Sequence, residues 1–139
     1  MHNRDVLYPP LWSLSQVYRA LVAFPIAAFT LTVVTDLAYI QTSNLLWLHF
    51  SEWLLFAGLV FGIVAAIYLA IICLVRRSRP SRLHALFGVV ALILAALNSF
   101  IHTADGWTAV MPYGLAMSIA TVVAMLLAGW FGRWRHAPD

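Results

Sequence analysis

Two short strings in this sequence set an imidazole and a carboxylate three residues apart: His49-Phe-Ser-Glu52 and His102-Thr-Ala-Asp105. On a helix that spacing puts both side chains on one face, one turn apart. Neutral imidazole with carboxylate is a ligand set suited to zinc, iron or manganese, and helices carrying such pairs build metal sites inside bundles. Asp36 falls near the same ends of the helices. A divalent metal held by His49, Glu52, His102, Asp105 and Asp36 is therefore one expectation. A second is haem b clamped between His49 and His102, histidine being a common axial ligand. A third is a proton or quinol site with a carboxylate–histidine relay. Beside them stands a plain structural use, in which His102 caps helix-end carbonyls, Asp105 orders the turn before Gly106, and Glu52 is solvated above the headgroups.

Other chemistry has no support in the spacing. No nucleophile–base–orienter set, phosphate-binding glycine loop or zinc-protease motif is present. The single cysteine, Cys73, sits in an apolar run and offers neither a disulfide framework nor a thiolate metal site. No residue reads as catalytic, and an enzyme is not the expectation.

The elements that must position these groups follow from composition. The 139 residues suit one domain, but 63% are hydrophobic and 9% charged, against about 45–50% and ~25% in soluble domains. A soluble fold this small cannot hide so much apolar surface. The chain reads as an integral membrane protein. A spanning helix takes ~20 apolar residues, and four segments qualify, roughly 20–40, 46–75, 83–102 and 111–131. Nothing alternates with period two, and only helices or closed barrels satisfy their backbone in lipid. The expected fold is an all-α four-helix bundle in the membrane, occupying 20–131.

Charge sets the orientation. All eight basic residues are arginines, at 4, 19, 76, 77, 79, 82, 133 and 135. With four spans they all fall on one side, and basic residues beside spans mark the cytoplasmic face. Both termini and the "RRSRPSR" loop are then cytoplasmic, in a bacterial inner membrane, with residues 132–139 a cytoplasmic tail. The net charge of +3 is thus a topology signal, and nucleic acid is excluded as a partner. The N-terminal "MHNRDVLYPPLWSLSQ" lacks the apolar core of a cleavable signal, and 1–19 reads as an amphipathic segment lying along the inner interface. Tyr8, Trp12, Tyr18, Trp130 and Trp134 near that interface, and Trp47, Trp53 and Trp107 near the other, look like aromatic belts. Pro112 suits the first turn of the last helix.

Helical periodicity then distributes the faces. Ala91, Ala95, Asn98 and His102 form one small-and-polar stripe expected to look into the bundle. Asp36 shares a face with Thr32 and Tyr39. Gly58, Gly62, Ala66 and Ala70 recur every four residues on the second helix, as Ala120, Ala124, Ala128 and Gly132 do on the fourth. Such stripes let helix backbones approach closely. Internal packing is the simpler use, and a homodimer seam through Gly58 and Gly62 the sharper one. Gly58 lies on the opposite face from His49, so helix two is sandwiched between partners or its glycine face meets another protomer.

The string "NSFIHTADGWTAVMPYGLAMS" resembles the third-to-fourth helix connection of bacterial membrane proteins grouped as domain of unknown function family 2231. The shared pattern maps onto Asn98, Phe100, His102, Asp105, Trp107, Pro112, Gly114, Leu115 and Ser118. "LVAFPIAAFTLTVVTDLAY" is similar to that family's first helix through Phe24, Pro25 and Asp36. The resemblance runs from about residue 18 and implies a four-helix membrane unit, sometimes thought to sit near redox proteins. Members commonly carry a histidine-proline and a second histidine before Phe-Pro, where this chain has Tyr18, Arg19 and Ala23, so haem ligation from helix one is not expected. The functional expectation is a small inner-membrane accessory protein whose polar outer-face site holds a metal or docks a membrane or periplasmic redox partner. Its alternatives are a haem- or quinol-using electron carrier and a structural subunit of a larger complex.

Overall fold

The computed structural model describes residues 11–76, 80–104 and 110–133. Four helices account for nearly all of them: α1 (Leu11–Thr42), α2 (Leu45–Arg76), α3 (Arg82–Thr103) and α4 (Leu115–Arg133). The chain enters α4 through a wide turn, Val110–Gly114, in which Met111 is extended, as the residue before a proline prefers to be. Each helix is long and apolar enough to cross a bilayer. The fold is thus the expected all-α membrane bundle.

The first helix begins at Leu11 rather than near residue 20. Nothing between Leu11 and Arg19 breaks a helix, so the segment is helical and continuous with the candidate span, which runs from Leu14 to Thr42. At about 1.5 Å per residue α1 and α2 each run ~48 Å, well beyond a ~30 Å hydrocarbon core. Residues 1–10 and 134–139 lie outside the described set, as do Asp105, Gly106 and Trp107 and the side chains of Trp12 and Trp134.

The helices alternate in direction. Ser51 near the start of α2 bonds Asp36 near the end of α1, His102 at the end of α3 reaches the same Asp36, and Ser118 near the start of α4 joins them. Tyr68 on α2 reaches the Leu14 carbonyl at the opposite end. One end of the bundle therefore carries the α1–α2 and α3–α4 connections. The other, here the terminal end, carries the starts of α1 and α3 and the ends of α2 and α4. The arginine positions 19, 76, 82 and 133 all belong to the terminal end. Packing is closest within the α1–α2 and α3–α4 hairpins and sparser between them.

Large apolar side chains face outward, including Leu31, Val34, Phe56, Ile67, Ile93 and Leu126. Most of what is buried is small or polar: Ala28, Thr32 and Asp36 on α1, Ser51, Gly58 and Gly62 on α2, Ala91, Ala95, Asn98 and His102 on α3, Ser118, Thr121 and Ala124 on α4. That inversion is what lipid demands. Tails solvate leucine as well as a core does, so tight packing of small residues and hydrogen bonds must hold the helices. Phe29, Leu55 and Ala95 make the one apolar cluster among the described residues, with Leu59, Val122 and Met125 against it.

The glycine face of α2 is used within the chain. A Cβ on Gly58 would stand 2.5 Å from the Phe29 ring, and one on Gly62 would stand 2.7 Å from Leu92 Cδ2. Both glycines are buried, so this face packs against α1 and α3 within the chain, the simpler of the two expected uses. Farther along, Ala65 is buried while Ala66 and Ala70 are exposed. The buried positions 51, 55, 58, 62 and 65 step by four and three, as a 3.6-residue helix requires, whereas a strict four-residue stripe drifts off that face.

The α1–α2 connection is only two residues. Ser43 is left-handed at φ 51 and its N–H donates to the Tyr39 carbonyl at 2.7 Å. Asn44 then caps α2, accepting the Leu46 N–H at 3.0 Å. Glycine takes a left-handed conformation without the penalty an L side chain carries. Ser43→Gly is expected to stabilise the protein by about 0.5–1 kcal/mol, read as a higher midpoint in thermal unfolding of the detergent-solubilised protein.

Candidate functional site

The site grows from one carboxylate. Asp36 lies on α1, six residues short of its end, about 9 Å down the helix. It is fully buried, and both of its oxygens are engaged. Oδ1 accepts the Ser51 hydroxyl at 2.6 Å and faces His102 Nε2 at 2.9 Å. Oδ2 accepts the Ser118 hydroxyl at 2.7 Å. Asn98 Nδ2 donates to Ser118 Oγ at 2.8 Å. Ser51 gives its only proton to Asp36, so it receives one from Thr35 Oγ1 at 2.7 Å. Thr35 also lies near the carbonyls of Leu31 and Thr32. Every helix contributes to this network.

Helical geometry explains the convergence. Asp36 follows Thr32 by one turn, and Asn98 and His102 lie four apart on the buried face of α3. Ser118 sits just inside α4 after the Pro112 turn, and Ser51 one turn before the buried Leu55. Asp36 and His102 thus link α1 to α3, and Ser118 links α4 to α1. These bonds cross between the two hairpins where apolar packing is sparser.

The protons can be traced. His102 Nδ1 lies 3.0 Å from the Asn98 carbonyl oxygen. A carbonyl only accepts, so Nδ1 carries a hydrogen. A single proton then occupies the Nε2–Oδ1 line. It resides on nitrogen, giving imidazolium and carboxylate, or on oxygen, giving imidazole and carboxylic acid. Moving it across leaves the pair's total charge unchanged. Gaining or losing one leaves a net charge in a dry interior, which is expensive. Asn98 Oδ1 is buried without a hydrogen-bond partner beside this network. Its orientation is fixed by the neighbours, because Ser118 needs a donor once its own hydrogen goes to Asp36.

The sequence-derived site residues separate into three groups. Asp36 and His102 come together as a buried pair. His49 and Glu52 pair with each other at 3.3 Å on the surface of α2, with the imidazole 64% exposed, and they do not join the buried pair. Asp105 lies outside the described residues. Among the described residues no three His, Cys, Asp or Glu side chains converge as a metal site. Of the two histidines expected to clamp a haem, His49 is exposed and pairs with Glu52, and both nitrogens of His102 are hydrogen-bonded.

The sequence reading passed over Ser51, Ser118 and Thr35 as site residues. Ser51 had a usable signal. Stepping back from Gly58 by three and then four reaches Leu55 and Ser51 on one face, while His49 falls off it.

A model of the family described as Predicted membrane protein (DUF2231) matches residues 19–137. The chain belongs to the DUF2231 family. No curated protein and no solved structure matches it. Several of the residues that carried the resemblance are buried in this DUF2231 member, while Phe24 and Phe100 are exposed and Asp105 and Trp107 lie outside the described residues. Asn98, His102 and Ser118 are three of the network's members, Asp36 is its centre, Gly114 is buried at the α4 entry, and Pro25 is buried inside α1.

Proposed function

We propose that this chain is a small accessory protein of the bacterial inner membrane in which the Asp36–His102 pair is a proton-sharing latch between two helical hairpins. The observation that carries this is the Nε2–Oδ1 bond of 2.9 Å, fully buried and backed by a protonated Nδ1. Ionisable groups within a membrane span are costly to keep and are functional candidates by default. While one proton is shared the pair is neutral and the connection end stays closed. A partner that adds or removes that proton charges the interior and favours parting of the hairpins there.

Location and orientation form part of the proposal. The terminal-end arginines favour a cytoplasmic terminal end, which sets the latch and the exposed His49–Glu52 pair toward the outside. A redox protein docking at this end is part of the same proposal. A metal between Asp36 and His102 has weaker support, because it would have to displace the shared proton and would find only these two strong ligands among the described residues.

Hydrogen exchange of the full-length protein in lipid nanodiscs tests the latch. Amides of α3 around Asn98–His102 are expected to exchange slowly near neutral pH. Protection there should fall in Asp36→Ala and in His102→Ala, each of which removes one side of the pair. Protection unchanged in both variants, and in Asp36→Asn, would reduce the network to packing.

A further inference from the structure

Between the hairpins, in the terminal half of the bundle, lies a cavity of about 360 Å³. This is within the range of small-ligand pockets. Gly62, Ala65 and Ala66 of α2 line one side, and Ala85, Gly88 and Leu92 of α3 the other. Phe29 and Met125 close it toward the middle of the bundle. No Asp, Glu, Lys or Arg lines it among the described residues, so it suits a neutral molecule. Its polar corner is at the terminal end, where Tyr18, Cys73 and His84 meet.

The hydrogen bonds in that corner specify what it still lacks. His84 Nδ1 lies 2.8 Å from the Ala128 carbonyl oxygen and therefore donates to it. With the ring neutral, Nε2 is left as the acceptor, and the Tyr18 hydroxyl 3.0 Å away donates to it. Tyr18 then has no hydrogen to give, but its oxygen keeps a free lone pair. Any head group entering without breaking this arrangement must donate a hydrogen bond, and a neutral hydroxyl meets that need. His84 is the third residue of α3, whose ~33 Å matches the hydrocarbon thickness. A head bound there lies at the depth of the polar boundary, with its apolar part directed into the bilayer.

We infer that this cavity binds a prenylated quinol, its ring between the small residues of α2 and α3 and its hydroxyl donating to Tyr18 Oη. A flat ring needs walls without bulky side chains, which Gly88 and the alanines provide. The oxidised quinone offers only acceptors, so it must pull the Tyr18 hydrogen away from His84 and binds more weakly. This inference does not depend on the latch. His84 and His102 are separated by 18 positions, ~27 Å along α3.

Gly88 supplies the test, because a Cβ built there meets nothing within 4 Å. Gly88→Leu should fill the cavity while leaving the bundle intact. Gly129 also has open space around it but does not line the cavity, so Gly129→Leu is the control. The full-length protein in quinone-free nanodiscs would be titrated with a diprenyl ubiquinol under anaerobic conditions, and binding followed by native mass spectrometry. The expected result is one quinol per chain, bound at least tenfold more weakly by Gly88→Leu, several-fold more weakly by Tyr18→Phe, and unchanged by Gly129→Leu. The matching quinone should bind several-fold more weakly than the quinol. Gly88→Leu binding like the parent would overturn the site. Displacement of the quinol by an equal concentration of diacylglycerol would also overturn it, by showing a cavity that takes any neutral lipid.

Discussion

Replacing Asp36 by alanine is expected to destabilise the bundle by about 3–5 kcal/mol, the range for removing one partner of a buried pair. The substitution removes the acceptor for Ser51 and Ser118 and the partner of His102 Nε2 in one step. Lipid tails offer none of these groups a replacement, and each unsatisfied buried group costs about 1–3 kcal/mol. Asp36→Asn should cost less, because the amide can donate to His102 Nε2 and still accept from one serine. The other serine then faces an N–H and loses its acceptor. The informative variant is Asp36→Ala combined with His102→Ala. The double variant still strands Ser51 and Ser118, but it no longer leaves an unpaired imidazole or an unpaired carboxylate, so it should be destabilised by less than the sum of the singles, by more than ~1 kcal/mol. Unfolding of the full-length protein in mixed micelles would measure the cycle. Additive costs would mean that the two side chains do not act as a unit, and the latch would fall with them.

Much of this site was legible before any coordinates. The 4-3-4 stripe of Ala91, Ala95, Asn98 and His102 is the buried face of α3, because small and polar residues are what a membrane helix turns inward when lipid already satisfies the large apolar ones. Asp36, Thr32 and Tyr39 are buried together for the same reason. Four spans followed from length and hydropathy alone.

The partner choices on helix two were not legible from the local motif. His49-x-x-Glu52 reads as a convincing pair, and the two do bond to each other, but spacing within a helix says nothing about which way the shared face points. The glycine face settles the rotation. Once Gly58 meets Phe29, Ser51 must point inward and His49 outward, since two residues along a helix are about 200° apart. Sequence also favours conspicuous chemistry over modest hydroxyls. Ser51, Ser118 and Thr35 are unremarkable as letters, yet they supply the donors that let a carboxylate sit in a dry interior. The extent of α1 as a helix was not legible for a related reason. The polar residues of "LWSLSQVYRA" suggest an interface, but none of them prevents a helix.

Gly58 carries the second large effect. An alanine there places its methyl 2.5 Å from one ring carbon of Phe29 and 2.9 Å from the next. Phe29 is 2% exposed and wedged beside Leu55 and Ala95, so the ring cannot swing away without opening the one apolar cluster described. Gly58→Ala is expected to cost about 1–3 kcal/mol despite alanine's better helix propensity, and Gly58→Leu considerably more. Gly62→Ala should be milder, because the atom it meets is the far end of the flexible Leu92 side chain. Gly88→Ala, which meets nothing, should be neutral or slightly stabilising. Phe29→Leu should recover part of the Gly58→Ala loss by making room at the contact itself. The same series separates internal packing from a seam between copies. Internal packing predicts lower unfolding midpoints with the oligomeric state unchanged, whereas a seam predicts folded protomers that no longer associate, measured by light scattering of the detergent-solubilised protein.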